Sequence, residues 1–163
     1  MAQLVSTEVA EFMQSGVSVL VASRDRQLFP ACCRAMGVRV ERGRRSLTVF
    51  VPEATGAAVV DAIGSSGRVA VCFARIEDHR SLQVKGSVAA LARAADEERC
   101  FIERYRGEWA RNLAVIGLPP RLSLRQNAWP CHAVRVRIEA LFVQTPGPGA
   151  GAPLLPAGSE RAT

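Results

Sequence analysis

The run Arg80-Ser-Leu-Gln-Val-Lys-Gly-Ser-Val88 constrains the fold of this chain more than any other stretch. Leu82, Val84 and Val88 alternate with Ser81, Gln83, Lys85 and Ser87, the period-two pattern of a strand buried on one face and solvated on the other. The polar face carries a hydroxyl, an amide and an ammonium in line, with Arg80 at the strand entry. Gly86 leaves room for a close approach by backbone or ligand. On pattern alone the same row reads first as an ordinary solvated strand face. A second stretch, Ala133 to Val143, repeats the alternation, with Val134, Val136, Ile138 and Phe142 on one side and Arg135, Arg137 and Glu139 on the other.

The rest of the chain supplies partners for these two strands. Ser6 and Thr7 precede Glu8, and Val5, Val9, Phe12 and Met13 recur at helical spacing, so a short capped helix is expected to end near Gly16. A strand over Val17–Val21 follows. The turn Arg24–Gln27 leads to a second strand from Phe29-Pro30 to about Glu41, and Arg42-Gly-Arg-Arg45 leads to a third over Ser46–Val51. Together these predict an antiparallel meander. Glu53 to Ile63 reads as a helix ending at Gly64, and Gly67 to Arg75 as a strand apolar on both faces, hence central in a barrel or between layers. Asp96 opens a helix that places Phe101 and Tyr105 on one face, and a second helical stretch through Trp109, Leu113 and Ile116 runs to Gly117. Six strands with peripheral helices predict a mainly β fold, a six-stranded antiparallel split β-barrel over residues 1–145. Residues 146–163, rich in Pro, Gly and Ala, form a tail too poor in apolar surface to order itself. It is expected to be free or to lie on a partner.

A chain of 163 residues with 48% hydrophobic and 22% charged residues can bury a core as one domain. Its net charge of +6 is carried almost wholly by arginine, since Lys85 is the sole lysine. Arginine suits forked recognition of phosphate or carboxylate, which points to a small anionic ligand. The arginines are scattered and the aromatics few, so nucleic-acid binding is not expected. Five cysteines with no Cys-x-x-Cys pair and no apparent export signal predict reduced thiols in a cytoplasm. No apolar run is long enough to cross a bilayer. Cys131-His132 lacks the further ligands that a metal site needs, and adjacent Cys32 and Cys33 on a strand point to opposite faces. Tyr105 and Trp109 read as core, whereas Trp129 can reach either a partner or a ligand.

Three segments carry a resemblance. They are Val19-Leu-Val-Ala-Ser-Arg-Asp25 with Phe29-Pro30 and Arg34-Ala-Met-Gly-Val-Arg-Val40; Arg68-Val-Ala-Val-Cys-Phe73 with Arg80–Gly86; and Phe142-Val-Gln-Thr-Pro-Gly-Pro-Gly-Ala-Gly151. In order and spacing the chain resembles the pyridoxamine 5′-phosphate oxidase-like family of FMN-binding split barrels, in an uncharacterised branch. The resemblance implies a homodimer with FMN at the subunit interface and a flavin-dependent oxidoreductase acting on a small molecule. It assigns cofactor contacts to Arg34, Ala35, Met36, Gly37, Phe50, Val51, Thr55, Arg80, Ser81 and Lys85, and names no catalytic residue. Thr55 and Gly56 would offer a hydroxyl and free amides at a helix N-terminus, and Arg34 a fork for the phosphate. Where family oxidases carry Ser-Arg-Lys, this chain has Thr55-Gly56-Ala57-Ala58. Losing charge-assisted bonds worth about 1.5–3 kcal/mol each weakens FMN unless other groups substitute. Two alternatives therefore stay open: a flavin or anion binder without turnover, and a haem-handling split barrel.

Overall fold

The computed structural model describes residues 5–155. Helix α1 (Thr7–Met13) starts at Ser6, whose hydroxyl accepts from the Val9 amide as an N-cap. The strands are β1 (Ser18–Arg24), β2 (Pro30–Arg34), β3 (Val38–Val40), β4 (Ser46–Pro52), β5 (Arg68–Ala74), β6 (Ser81–Arg93), β7 (Cys131–Val143) and β8 (Pro153–Leu155). The remaining helices are α2 (Glu53–Ser66), α3 (Arg99–Ala114) and the single turn α4 (Pro120–Ser123). All strand pairs are antiparallel, in the order β2-β1-β5-β6-β7-β4-β3, with β8 beside β7.

The long second strand expected from the sequence is divided, and the division closes the barrel. The Ala35 amide still donates to Val19 of β1 (3.0 Å), but the Met36 amide donates to Phe50 of β4 (2.8 Å), and Phe50 returns a bond to Gly37 (3.0 Å). Residues 35–37 thus hand the chain from one end of the sheet to the other. The expected meander is present in bent form, as a β1/β2 hairpin and a β3/β4 hairpin. This division and β8 account for eight strands against the six expected. β8 is the returning part of the Pro/Gly stretch, tied by the Gly151 amide to Val143 (2.7 Å); residues 156–163 of the expected tail lie outside the described residues.

Inside the barrel, alternate residues of every long strand meet in one core that includes Val19, Val21, Leu47, Val49, Val71, Phe73, Val84, Val136 and Ile138. Phe142 departs from its expected face. A register shift pairs Lys85 with Ala140 and Gly86 with Ile138, so Glu139 is extra and the alternation flips. Leu141 is buried in the core, and Phe142 lies outside beneath the Lys85 ammonium, 5.0 Å from the ring centroid. The bulge needs glycine, since a Cβ on Gly86 would stand 2.0 Å from the Arg137 carbonyl oxygen.

The helices also differ from expectation in detail. α2 continues through Gly64 and ends where Gly67, at φ +65°, donates to the Ile63 carbonyl. The two helical stretches expected after Asp96 are one helix, α3, entered by a 3-10 turn over Asp96–Glu98. α3 seals the open end of the barrel. Tyr105 donates its hydroxyl toward Met13 and Val17 carbonyls at 3.1 and 3.0 Å, and Ile102 joins Met36, Phe50, Ala128 and Cys131 in a second apolar cluster.

Candidate functional site

The outer face of β2-β1-β5-β6 carries Arg34, Ser81 and Lys85, three of the residues assigned from the sequence. Register places Arg34 opposite Leu20, Leu20 opposite Cys72, and Cys72 opposite Gln83. The next row holds Cys32, Ala22, Ala70 and Lys85, and the row on the other side holds Ser18, Ala74 and Ser81. β5 is therefore not apolar on two buried faces; Ala70, Cys72 and Ala74 form a half-buried strip of small residues. The strip is low because its side chains are short, and Leu20 stands 43% exposed beside it.

Arg34 anchors one end. Its guanidinium donates to the Ser18 hydroxyl and lies over the Trp109 ring, 5.1 Å from the centroid. Burial without a carboxylate partner lowers its pKa from the usual arginine value. A cleft of about 390 Å³ opens beside it at the β2 edge, lined by Cys32, Cys33, Arg34, Met36, Thr55, Gln126 and Asn127. Thr55 is exposed in the first turn of α2, which starts at Pro52 with no side-chain cap and with the Glu53 amide donating to the Pro130 carbonyl (2.9 Å), so the Thr55 hydroxyl stands beside the helix N-terminus. Gly56 lets α2 pack this close, since a Cβ would stand 2.2 Å from Val51 Cγ1.

Gln126 and Asn127 were not apparent in the sequence because they belong to no periodic element. Arg106 holds them in place. Buried in α3, it is chelated by Glu103 (2.9 and 2.8 Å) and donates to the Leu124 and Gln126 carbonyls, both at 2.8 Å. Cys33 is held as a thiol, its pKa pushed up to about 11 by burial and then by neighbouring Cys32.

The ten residues assigned from the sequence do not form one cluster. Arg34, Met36 and Thr55 meet at the cleft. Ala35 and Met36 are buried, and the side chains of Phe50 and Val51 are fully enclosed; the backbones of Met36, Gly37 and Phe50 are spent on closing the barrel. Ser81 and Lys85 share the outer face with Arg34, and Ser81 lies about 14 Å from β2 across three strand spacings. Arg80 is turned toward α1, paired with Glu8 (2.7 Å) and stacked on Phe12 (4.7 Å). Ser81 is clasped to the loop after β7, its amide donating to the Thr145 hydroxyl (3.0 Å).

No family model and no curated protein matches the sequence. Solved structures do match. HupZ of Group A Streptococcus superposes with a TM-score of 0.55 over 90% of this chain and 100% of its own, at 14% identity. A protein of Lactobacillus delbrueckii assigned to pyridoxamine 5′-phosphate oxidase gives 0.53 over 85% and 93%, at 13% identity. An FMN-binding protein of Syntrophomonas wolfei gives 0.53 over 83% and 86%, at 9% identity. The chain has the split-barrel fold of the pyridoxamine 5′-phosphate oxidase-like proteins. Identities this low carry the fold alone. Among the described residues no helix is long and apolar enough to cross a membrane.

Proposed function

We propose that the protein binds FMN at the interface of a homodimer built on the outer face of β2-β1-β5-β6 and acts as a flavin-dependent oxidoreductase on a small molecule. The observation that carries this reading is the convergence of Arg34, Thr55, Gln126 and Asn127 on one cleft at the β2 edge, with a half-buried strip of small side chains two strands away on the same sheet. A phosphate fits the Arg34 fork and the Thr55 hydroxyl at the uncapped start of α2. A planar ring fits the strip bounded by Leu20, Cys72 and Gln83, with Ser81 and Lys85 beyond it. The likeness to an FMN-binding protein of the same fold supports the choice of flavin.

When bound, FMN would supply the capacity to accept or donate a hydride. The chain's own groups bind and orient. The residues lining the cleft include no carboxylate and no histidine, and Cys33 stays protonated near neutral pH. Within this cleft the chain's part in the proposed reaction is to bind and orient the cofactor.

One observation favours binding without turnover as the second reading. Ala57 and Ala58 stand exposed beyond Thr55, so the phosphate has one arginine and no further cation on α2. FMN titration followed by flavin fluorescence tests the binding site that both readings share. Wild-type protein should quench FMN, and Arg34→Ala should weaken binding at least tenfold, the loss of one charge-assisted pair. Equal affinity in both proteins would remove Arg34 from the site.

A further inference from the structure

The outer face holds a second feature, a trough two residues along from the Arg34 row. Its floor is Ala22 and Ala70, paired across β1 and β5, and Lys85 pairs with Ala70 on β6. Arg24 and Arg68 stand at its end, and the trough, open to solvent along much of its surface, has a volume of about 310 Å³, enough for a ring-sized molecule. Its floor is low because the side chains on neighbouring strands are alanines, and Gly86 of the β6 bulge completes the lining.

The charge around this trough is unbalanced. Arg68 is paired with Glu139 (3.0 Å). Arg24 donates to the Asp25 carbonyl (3.1 Å) and Lys85 lies over Phe142, and neither has a carboxylate partner among the described residues. Three cations against one carboxylate stand on three adjacent strands, at separations comparable to the screening length of about 8 Å at physiological salt. Such a grouping raises the local concentration of anions, and the alanine floor favours an apolar body.

We infer that the trough binds a small ring or chain bearing a phosphate or carboxylate, with the anionic group between Arg24, Arg68 and Lys85. This rests on the proposed function only in assigning the ligand as the second reactant; binding itself requires no flavin.

The test uses flavin-free protein and 1-naphthyl phosphate, 1-naphthoate and 1-naphthol as fluorescent probes. The two anions should bind saturably and the neutral naphthol at least tenfold more weakly; preference for one anion names the group recognised. The double variant Arg24→Gln/Arg68→Gln should lose at least tenfold in anion affinity while its FMN titration stays at the wild-type value. Ala70→Leu, which fills the floor without altering charge, should abolish probe binding. Equal binding of naphthol and naphthyl phosphate, or wild-type affinity in either variant, would overturn the inference. FMN quenching without anion binding would leave the cofactor reading standing and sink this one; anion binding without FMN quenching would do the reverse.

Discussion

The Arg34 guanidinium lies over the Trp109 indole, 5.1 Å from its centroid, while also donating to the Ser18 hydroxyl. This relationship joins β2, β1 and α3 at the mouth of the candidate cleft. It also fixes the orientation of the one cation there. Arg34→Ala should therefore cost stability as well as affinity, about 1–2 kcal/mol from the lost stack and stem packing. Urea unfolding would show a lower midpoint at an unchanged slope.

Gly86 makes the β6–β7 bulge possible. A methyl at this position collides with the Arg137 carbonyl at 2.0 Å, and backbone rather than a flexible side chain would have to move. Gly86→Ala should destabilise by about 3 kcal/mol or more, the upper range for forced overpacking. The thermal midpoint would fall by several degrees.

Tyr105 ties the helical cap to the barrel. Its buried hydroxyl is shared between the Met13 and Val17 carbonyls, and burial raises its pKa above the ordinary phenol value. Tyr105→Phe keeps the ring and leaves two carbonyls unsatisfied. A loss of about 1–3 kcal/mol is expected, with hydrogen exchange rising first in α1.

The cysteines should sort by environment. Cys33 is raised to about 11 and Cys131 to about 12, each chiefly by burial, whereas Cys32 and Cys100 are exposed. Iodoacetamide at pH 8 should label Cys32 and Cys100 well before Cys33 and Cys131, read by peptide mass spectrometry. The folded pKa values exceed the unfolded thiol value of 9.0. The stability these thiols confer is thus complete below pH 9 and lost as pH climbs through 11 to 12. Unfolding midpoints should fall across that interval, and less steeply in Cys33→Ala.

The strands were legible where one face is buried, because alternation is then enforced residue by residue. Leu82 and Val84 of β6 and Val134, Val136 and Ile138 of β7 lie inward as their spacing requires. The reading failed where backbone pairing, which sequence patterns do not report, took control. The Glu139 bulge turned Phe142 outward, and the crossing at Ala35–Gly37 depends on bonds to two strands distant from each other in the sheet. The same limit applies to the site. Arg34 and Thr55 were visible as a cation on an apolar strand and a hydroxyl at a helix start. Gln126 and Asn127 lie in an irregular segment positioned by Arg106 from another helix, a contact that no local pattern encodes. Arg80, read as an open cation at a strand entry, is engaged by Glu8 across the fold.

Native mass spectrometry of the protein incubated with FMN tests the central claim most directly, because it reads subunit number and cofactor number together. The predicted species is two chains carrying two FMN molecules, with Arg34→Ala shifted toward cofactor-free dimer. A single chain without FMN at saturating cofactor would contradict the account.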